Sequence, residues 1–241
     1  MDFYIIHLER ARQRRANVDR LARTLPGRVK VIEAVDASQL TDDEAGRHHC
    51  NARHLPRYPF RMRRTEVACF LSHRLAWSQI ARADGSFAMV LEDDCAIDPA
   101  VFERALALAT SVASEDDFIR FPTSLRETPL HVLKRDGEFS VFQPRHCGLG
   151  MRAQLVGRSA ARLLLDATET FDRPVDTTLQ MTWACLRGIS TAWPSGVSDI
   201  SNELGGSTIG FDKTLAEQVH HELARPPYRL AINLLGSWHA R

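Results

Sequence analysis

Short apolar runs alternate with segments of helical period along most of this chain, and that alternation leaves few architectures open. Phe3–Leu8 is a short apolar run with β-branched residues, the pattern of a buried strand. Val18, Leu21, Ala22 and Leu25 follow at helical spacing until Pro26-Gly27 stops them. Val29–Val35 predicts a second strand, and Thr41-Asp42-Asp43-Glu44 has the form of a capping box opening a short helix. Val67, Ala68, Leu71, Leu75 and Ile80 make the apolar stripe of a longer helix that Thr65 can cap. Phe87–Leu91 reads as a buried strand, and Asp98-Pro99 puts cap and first-turn proline in their preferred places for the next helix. Further strands are predicted at Phe118–Phe121, in a hairpin over Val132–Phe142 turning at Asp136-Gly137, at Met151–Val156 and at Ile189–Trp193. Helices are predicted over 159–167 and 176–187. Strands separated by helices predict an α/β fold: one domain over residues 1–241, with a mixed, mainly parallel central sheet flanked by helices.

Hydrophobic content of 44% and charged content of 25% belong to an ordinary globular chain, and no apolar run approaches the roughly 20 residues of a membrane span. The first eight residues are too short and too acidic at the front for a signal peptide, and the five cysteines are widely spaced with no CxxC pair. Both features predict a reducing, cytoplasmic setting. Charge is unevenly spread. Arg47, Arg53, Arg57, Arg61, Arg63 and Arg64 cluster with His48, His49 and His54, and Arg10, Arg12, Arg14 and Arg15 form a second block. Such blocks suit a diphosphate, a phosphorylated glycolipid or a membrane surface, and equally a solvated face. Acidic residues elsewhere balance them and no nucleic-acid motif is present, so nucleic acid is not expected as a partner. The Cys50–Arg64 stretch has no clear period and reads as a long loop of the kind that serves as a lid.

In open α/β sheets ligands gather beyond the carboxyl ends of strands. Two such ends stand out: Leu8-Glu9-Arg10, and Glu92-Asp93-Asp94 closing Phe87–Leu91. Three consecutive carboxylates after a buried strand repel one another unless something offsets them, and a divalent cation, Mg²⁺ or Mn²⁺, does so through hard oxygen ligands. Side chains alternate along extended backbone, so Glu92 and Asp94 share a face and Asp93 points away. A solvated acidic turn is the plain alternative. Glu66, Cys69 and His73 recur at spacings of three and four and line one helical face. His73 can be a base, a ligand or a structural histidine. Zinc at Cys69 and His73, or at His48-His49-Cys50 with His54, lacks a second ligand pair at a recognised spacing.

Taken in order, Tyr4-Ile5-Ile6-His7-Leu8 with Arg14-Arg15, the run Glu66-Val67-Ala68-Cys69-Phe70-Leu71-Ser72-His73, then Val90-Leu91-Glu92-Asp93-Asp94 and Pro174-Val175-Asp176 resemble glycosyltransferase family 25. This is the family of lipooligosaccharide galactosyltransferases and collagen galactosyltransferases. The matches run from residue 3 to about residue 180, with an echo at Ser207-Thr208-Ile209. The chain departs from the family pattern at His7, where Asn is usual, and at Thr65 and Ala68, where glycines are usual or frequent. The resemblance implies a GT-A-like fold, a UDP-sugar donor (typically UDP-galactose), a divalent metal and inversion at the anomeric carbon. It implies a glycan or glycolipid acceptor in lipopolysaccharide or other surface-glycan assembly, with peripheral access to the inner membrane.

Carried onto this sequence, the resemblance implies Asp94 as metal ligand and Glu92 at the metal or ribose, with Asp93 beside them. The nucleotide would lie against His7, Leu8 and Glu9, with Arg14 near phosphate and Asp36, in Ala34-Val35-Asp36, near the nucleoside. Asp176 is the first candidate for the base that takes the acceptor proton, with Glu66 and His73 behind it. Asp176 can also serve only as a helix cap. The last ~40 residues, which lack a clear pattern, are expected to be an acceptor-side extension. Two rival readings stand beside this one. A sugar nucleotidyltransferase would normally carry a Gly-rich phosphate loop near its start, and Phe3–Arg15 contains no glycine. The other rival is a non-catalytic sugar-nucleotide or metal-binding homologue.

Overall fold

The computed structural model describes residues 1–186, 188–206 and 215–239, the last helix with its side chains over 222–236. In chain order the first half comprises β1 (Asp2–His7), α1 (Arg12–Thr24), β2 (Arg28–Glu33), α2 (Asp42–His48), α3 (Arg64–Arg82), β3 (Phe87–Glu92), β4 (Cys95–Ile97) and α4 (Pro99–Thr110). The second half comprises β5 (Phe118–Arg120), β6 (Pro129–Asp136), β7 (Phe139–Pro144), β8 (Ala153–Gly157), α5 (Arg158–Ala167), α6 (Val175–Leu179), α7 (Thr182–Cys185), β9 (Ser190–Trp193), β10 (Val197–Asp199) and α8 (Leu215–His239).

Eight strands form one sheet in the order β2-β1-β3-β8-β5-β9-β7-β6. β1 runs parallel to β2 and β3, and β5 is parallel to β9; the remaining pairings are antiparallel through β8 and β7. Six of the eight strands therefore point the same way, which is the mixed, mainly parallel sheet that the pattern predicts. Helices cover both faces. Along β1, Phe3 and Ile5 enter a core with Val18 and Leu21 of α1 and Phe102 of α4. Tyr4 and Ile6 enter the opposite core with Phe70 and Trp77 of α3 and Leu164 of α5. Burial on both faces is why this strand reads as a continuous apolar run rather than an alternating one. Each such side chain contributes about 1.5–3 kcal/mol of transfer free energy.

Close packing at two turns demands glycine. At Gly157, the last residue of β8 and the cap of α5, an added Cβ would lie 2.2 Å from the Glu115 carbonyl oxygen. Gly196 has φ +69 and its Cβ would lie 2.4 Å from the Phe102 nitrogen.

Four features depart from the sequence expectations. α3 begins at Arg64, with Arg63 as cap residue: Glu66 Oε2 accepts the Arg63 N–H at 2.7 Å, so the carboxylate three residues on takes the role expected of Thr65. The helix predicted over 176–187 is broken into α6 and α7 at Gln180-Met181, where Gln180 instead donates its side-chain amide to Cys147 O at 2.8 Å. The two-stranded ribbon β4–β10 lies outside the eight-stranded sheet and is too short to leave a periodic signal. The C-terminal segment forms α8 despite Pro226 and Pro227, residues that ordinarily break a helix; Tyr228 and Ile232 anchor it against Met181. Arg187 and the echo at Ser207-Thr208-Ile209 lie outside the described residues. Among the described residues no helix is long and apolar enough to cross a membrane.

Candidate functional site

β3 ends in the acidic turn, and strand parity decides where each carboxylate goes. Ala88 and Val90 face α3, so Glu92 faces it too, and its Oε1 lies 3.0 Å from His73 Nε2. Met89 and Leu91 face α1, and Asp93 follows them. Asp93 Oδ1 accepts from Arg14 Nη1 at 2.6 Å, and its Oδ2 lies 2.7 Å from Nδ1 of His7, the last residue of β1. Glu92 and Asp93 thus have partners on opposite faces of the sheet, while Asp94, in the turn beyond the strand, shares Arg14 Nη1 with Asp93 at 3.4 Å.

The turn is held from three directions. Asn17 of α1 donates its amide to Asp93 O at 2.8 Å and Cys95 O at 2.9 Å. Ile200 N, at the end of β10, donates to Asp94 O at 3.0 Å. Arg14 reaches on to Gly206 O at 2.8 Å. Asp94 is therefore a buried carboxylate on a fixed backbone.

A cleft of about 410 Å³ opens in front of this turn. Glu92, Asp93 and Asp94 line it together with Leu8 and Arg14 from the first crossover, Glu66, Cys69 and His73 from α3, and Asp176 from α6. Residues far apart in the chain, singled out separately in the sequence, thus meet on one surface. Asp176 is held in place by the backbone: Oδ2 accepts Gly150 N–H at 3.1 Å, and Oδ1 accepts Thr177 N–H at 2.7 Å. One wall of the cleft is apolar, with Ile6, Ala34, Val35 and Met151.

The electrostatics around Asp94 are unbalanced. Its Oδ1 is buried and makes no hydrogen bond among the described residues; Arg152 Nε stands 3.5 Å away, and Arg14 Nη1 lies 3.4 Å from Oδ2. Burial, then the charge of Glu92, pushes the Asp94 carboxyl up to about 6. Burial also disfavours the Glu92 carboxylate. There the His73 hydrogen bond, with the charges of His73, Arg152 and Arg14, outweighs it and holds Glu92 below its ordinary value. A carboxylate pair with an unbonded buried oxygen fits a hard divalent cation. Cys69, His73 and Glu92 also form a group whose ligand atoms lie within 4.8 Å of one another. There the Cys69 thiol is driven well above its ordinary value by burial, and His73 Nε2 is already engaged by Glu92. Glu92 is thus shared between this group and the carboxylates of the acidic turn.

Other expected site residues fall elsewhere. His7 is buried behind the acidic turn and does not line the cleft; its contact is with Asp93. Glu9 and Asp36 line an adjoining groove that shares Leu8, Arg10, Ala34 and Val35 with the cleft. Asp36 pairs with Arg10 at 2.7 Å and accepts from Ser38 N–H at 2.8 Å. Hydrogen bonds from the Ser38 backbone and hydroxyl hold its carboxyl below the ordinary range, with Arg10 adding to them. The Arg- and His-rich loop is fastened to the segment before α6. Asp172 Oδ2 accepts the N–H groups of Arg53 and His54 at 2.7 and 3.0 Å, and Tyr58 from the same loop reaches the cleft.

Arg152 has no counterpart in the sequence reading. It stands between Asp94 and Asp199, bonding the latter at 2.7 Å, and no motif or period distinguishes it from other arginines. Arg173 was equally silent. Its side chain is fully buried and joins Asp172, Tyr228 Oη, His54 O and Pro56 O.

Comparison with known proteins adds a family. Residues 1–179 match the family described as glycosyltransferase family 25 (LPS biosynthesis protein). A glycosyltransferase 25 family member of Anopheles gambiae is 36% identical over 107 residues, covering 42% of this chain and 18% of that protein. Human procollagen galactosyltransferase 2 is 35% identical over 101 residues, covering 39% of this chain and 15% of its own length. The matched stretch is thus a small part of these longer relatives. Among solved structures, the inositol-1-phosphate CTP transferase from T. maritima overlaps 93% of this chain and 95% of its own at 9% identity, with a TM-score of 0.39, too slight a likeness to bear on function.

Proposed function

This chain belongs to glycosyltransferase family 25, and from that premise we propose that its cleft binds a UDP-sugar, UDP-galactose foremost, and transfers the hexose with inversion to a glycan or glycolipid hydroxyl. The observation that carries the reading is that Glu92, Asp94, Glu66, His73 and Asp176 line one cleft although they come from separate segments of the chain.

Inverting transfer is a single displacement. The acceptor oxygen bonds to the anomeric carbon from one side while the bond to the nucleoside diphosphate breaks on the other, and the hydroxyl proton passes to a base. Asp176 is suited to that proton: bonds from Gly150 N–H to Oδ2 and from the Thr177 N–H and hydroxyl to Oδ1 hold the carboxylate still and leave Oδ2 a further lone pair. Glu66, with one oxygen on the Arg63 N–H, is the second candidate. Asp94, with Glu92, would hold a divalent cation, Mn²⁺ or Mg²⁺, which when bound neutralises charge on the leaving diphosphate. Arg14 and Arg152 add fixed positive charge beside Asp94. The apolar wall of Ile6, Ala34, Val35 and Met151 offers a surface for the nucleobase. His7 and Asp93 act from behind, positioning the turn through their mutual contact. Asp36 and Glu9, in the adjoining groove, are within the nucleoside's surroundings only if it extends past Leu8. A role in lipopolysaccharide or related surface-glycan assembly, at the cytoplasmic face of the inner membrane, belongs to the same proposal.

The test is nucleotide-sugar binding and turnover by the purified chain across a panel of donors, with Mn²⁺ and with chelator. UDP-galactose should lead the panel, and Asp176→Asn should lower turnover by about a hundredfold or more, within the range general-base catalysis supplies, while leaving UDP affinity unchanged. Full activity of the variant would remove Asp176 as base; failure of every nucleotide sugar to bind would overturn the reading itself.

A further inference from the structure

A second cavity, of about 520 Å³, shares Gly150 and Arg152 with the donor cleft. Its charges do not cancel. Glu127 and Asp199 are the acidic residues of its lining, and both are already committed. Glu127 pairs with the buried Arg120 and accepts the Thr191 hydroxyl at 2.6 Å, while Asp199 pairs with Arg152 at 2.7 Å. That leaves Arg126, between β5 and β6, and Arg229 of α8. Both are exposed, and neither side chain has an ion-pair or hydrogen-bond partner among the described residues. Two uncommitted guanidinium groups from separate parts of the chain thus line one cavity. His146 joins them with its ring; burial and the nearby Arg145 keep it below its ordinary value, so at neutral pH it adds hydrogen-bonding capacity and no charge.

We propose that this cavity is the acceptor pocket and that it takes a sugar carrying an anionic group, phosphate or carboxylate, bound by Arg126 and Arg229. The assignment rests on the donor-cleft reading. The wall shared by the two cavities carries Gly150, whose N–H is bonded to Asp176 Oδ2. The carboxylate suited to take the acceptor's proton is thus one hydrogen bond away from the wall of the second cavity. Thr123, Ser124 and Asn233 add uncharged polar groups of the kind that bind sugar hydroxyls. Guanidinium groups suit both candidate anions because their paired N–H donors match two oxygens at once.

The experiment uses the whole chain with UDP and Mn²⁺ saturating the donor cleft, and titrates glucose, glucose 6-phosphate and glucuronate as probes by calorimetry or NMR. At least one charged sugar should bind about tenfold more tightly than glucose, the margin two solvent-exposed charges can supply. A preference for glucose 6-phosphate identifies a phosphate as the anion, and one for glucuronate a carboxylate. Arg126→Gln with Arg229→Gln should remove the margin, and Arg126→Lys with Arg229→Lys, which keeps the charge and loses the paired donors, should keep only part of it. UDP affinity and melting temperature should not move in either variant. Equal binding of all three sugars, or a margin that survives the double glutamine variant, overturns the proposal. Failure of UDP to bind the unaltered chain overturns the donor reading, and the acceptor assignment with it.

Discussion

Arg173→Met is the substitution with the most to say about how the site is held together. The guanidinium is fully buried and bonds Asp172 through Nε at 2.7 Å and Nη2 at 3.1 Å, Tyr228 Oη at 2.9 Å, and the carbonyls of His54 and Pro56 at 3.1 Å each. Methionine fills comparable volume and supplies none of these donors. Removing one member of a buried ion pair costs about 3–5 kcal/mol. Here the stranded Asp172 keeps two backbone N–H donors, those of Arg53 and His54, which argues for the lower end, about 3 kcal/mol. With a urea m-value of about 3 kcal/mol/M for a chain of this size, the unfolding midpoint should fall by about 1 M. The pH dependence provides a second reading. Burial alone raises the Asp172 carboxyl, but the Arg173 hydrogen bond and the two backbone donors outweigh it and bring it down to about 2. A folded value below the unfolded 3.8 means stability that is present above pH 4 and is lost as pH falls from 3.8 towards 2. The variant should lose part of that acid-side slope. Chemical unfolding monitored by tryptophan fluorescence between pH 7 and pH 2.5 measures both effects. A midpoint shift under 0.3 M, or an unchanged acid slope, would refute the claim that this arginine is a structural hub.

Three further substitutions test other parts of the fold. Asp94 has a folded value of about 6, above its ordinary 3.8, so in metal-free buffer it costs stability at neutral pH and that cost falls as pH drops through 6. Asp94→Asn should therefore flatten the stability difference between pH 7.5 and pH 5, measured by melting, while lowering metal-dependent transfer by about a hundredfold. Gly157→Ala should destabilise by about 3 kcal/mol because its Cβ would strike the Glu115 carbonyl at 2.2 Å, whereas Gly46→Ala, in α2 with nothing within 4 Å, should stabilise by about 0.5–1 kcal/mol; paired melting curves decide both.

Much of the sheet was legible because its strands are buried on both faces. Ile5-Ile6 in β1 and Met89-Val90-Leu91 in β3 announce themselves as uninterrupted apolar runs. α4 was legible from Asp98-Pro99, whose carboxylate does cap the Ala100 N–H at 3.1 Å. The acidic turn and Asp176 could be singled out by residue type and order, and the fold brings them to one cleft. What stayed hidden depends on partners distant in the chain. His7 reads as a strand-end ligand residue until Asp93, 86 positions later, is found against it. Arg152 and Arg173 are ordinary arginines in sequence, and only the carboxylates they meet in space distinguish them. α8 was masked by Pro226-Pro227, since propensity argues against a helix and only packing on Met181 supports one.

β9 has a bearing on how the chain assembles. It is the last strand of the main sheet to be synthesised, yet it lies in the interior, parallel to β5 on one side and antiparallel to β7 on the other. Until residues 190–193 arrive, β5 and the β6–β7 hairpin present open edges to one another with nothing between them. The sheet cannot zip in the order in which it leaves the ribosome, and its closure waits on a pairing of long sequence separation, the kind that slows folding. The family match ends at residue 179, short of this strand. A fragment cut there would keep the acidic turn and Asp176 but expose two strand edges, and aggregation through those edges is its natural fate.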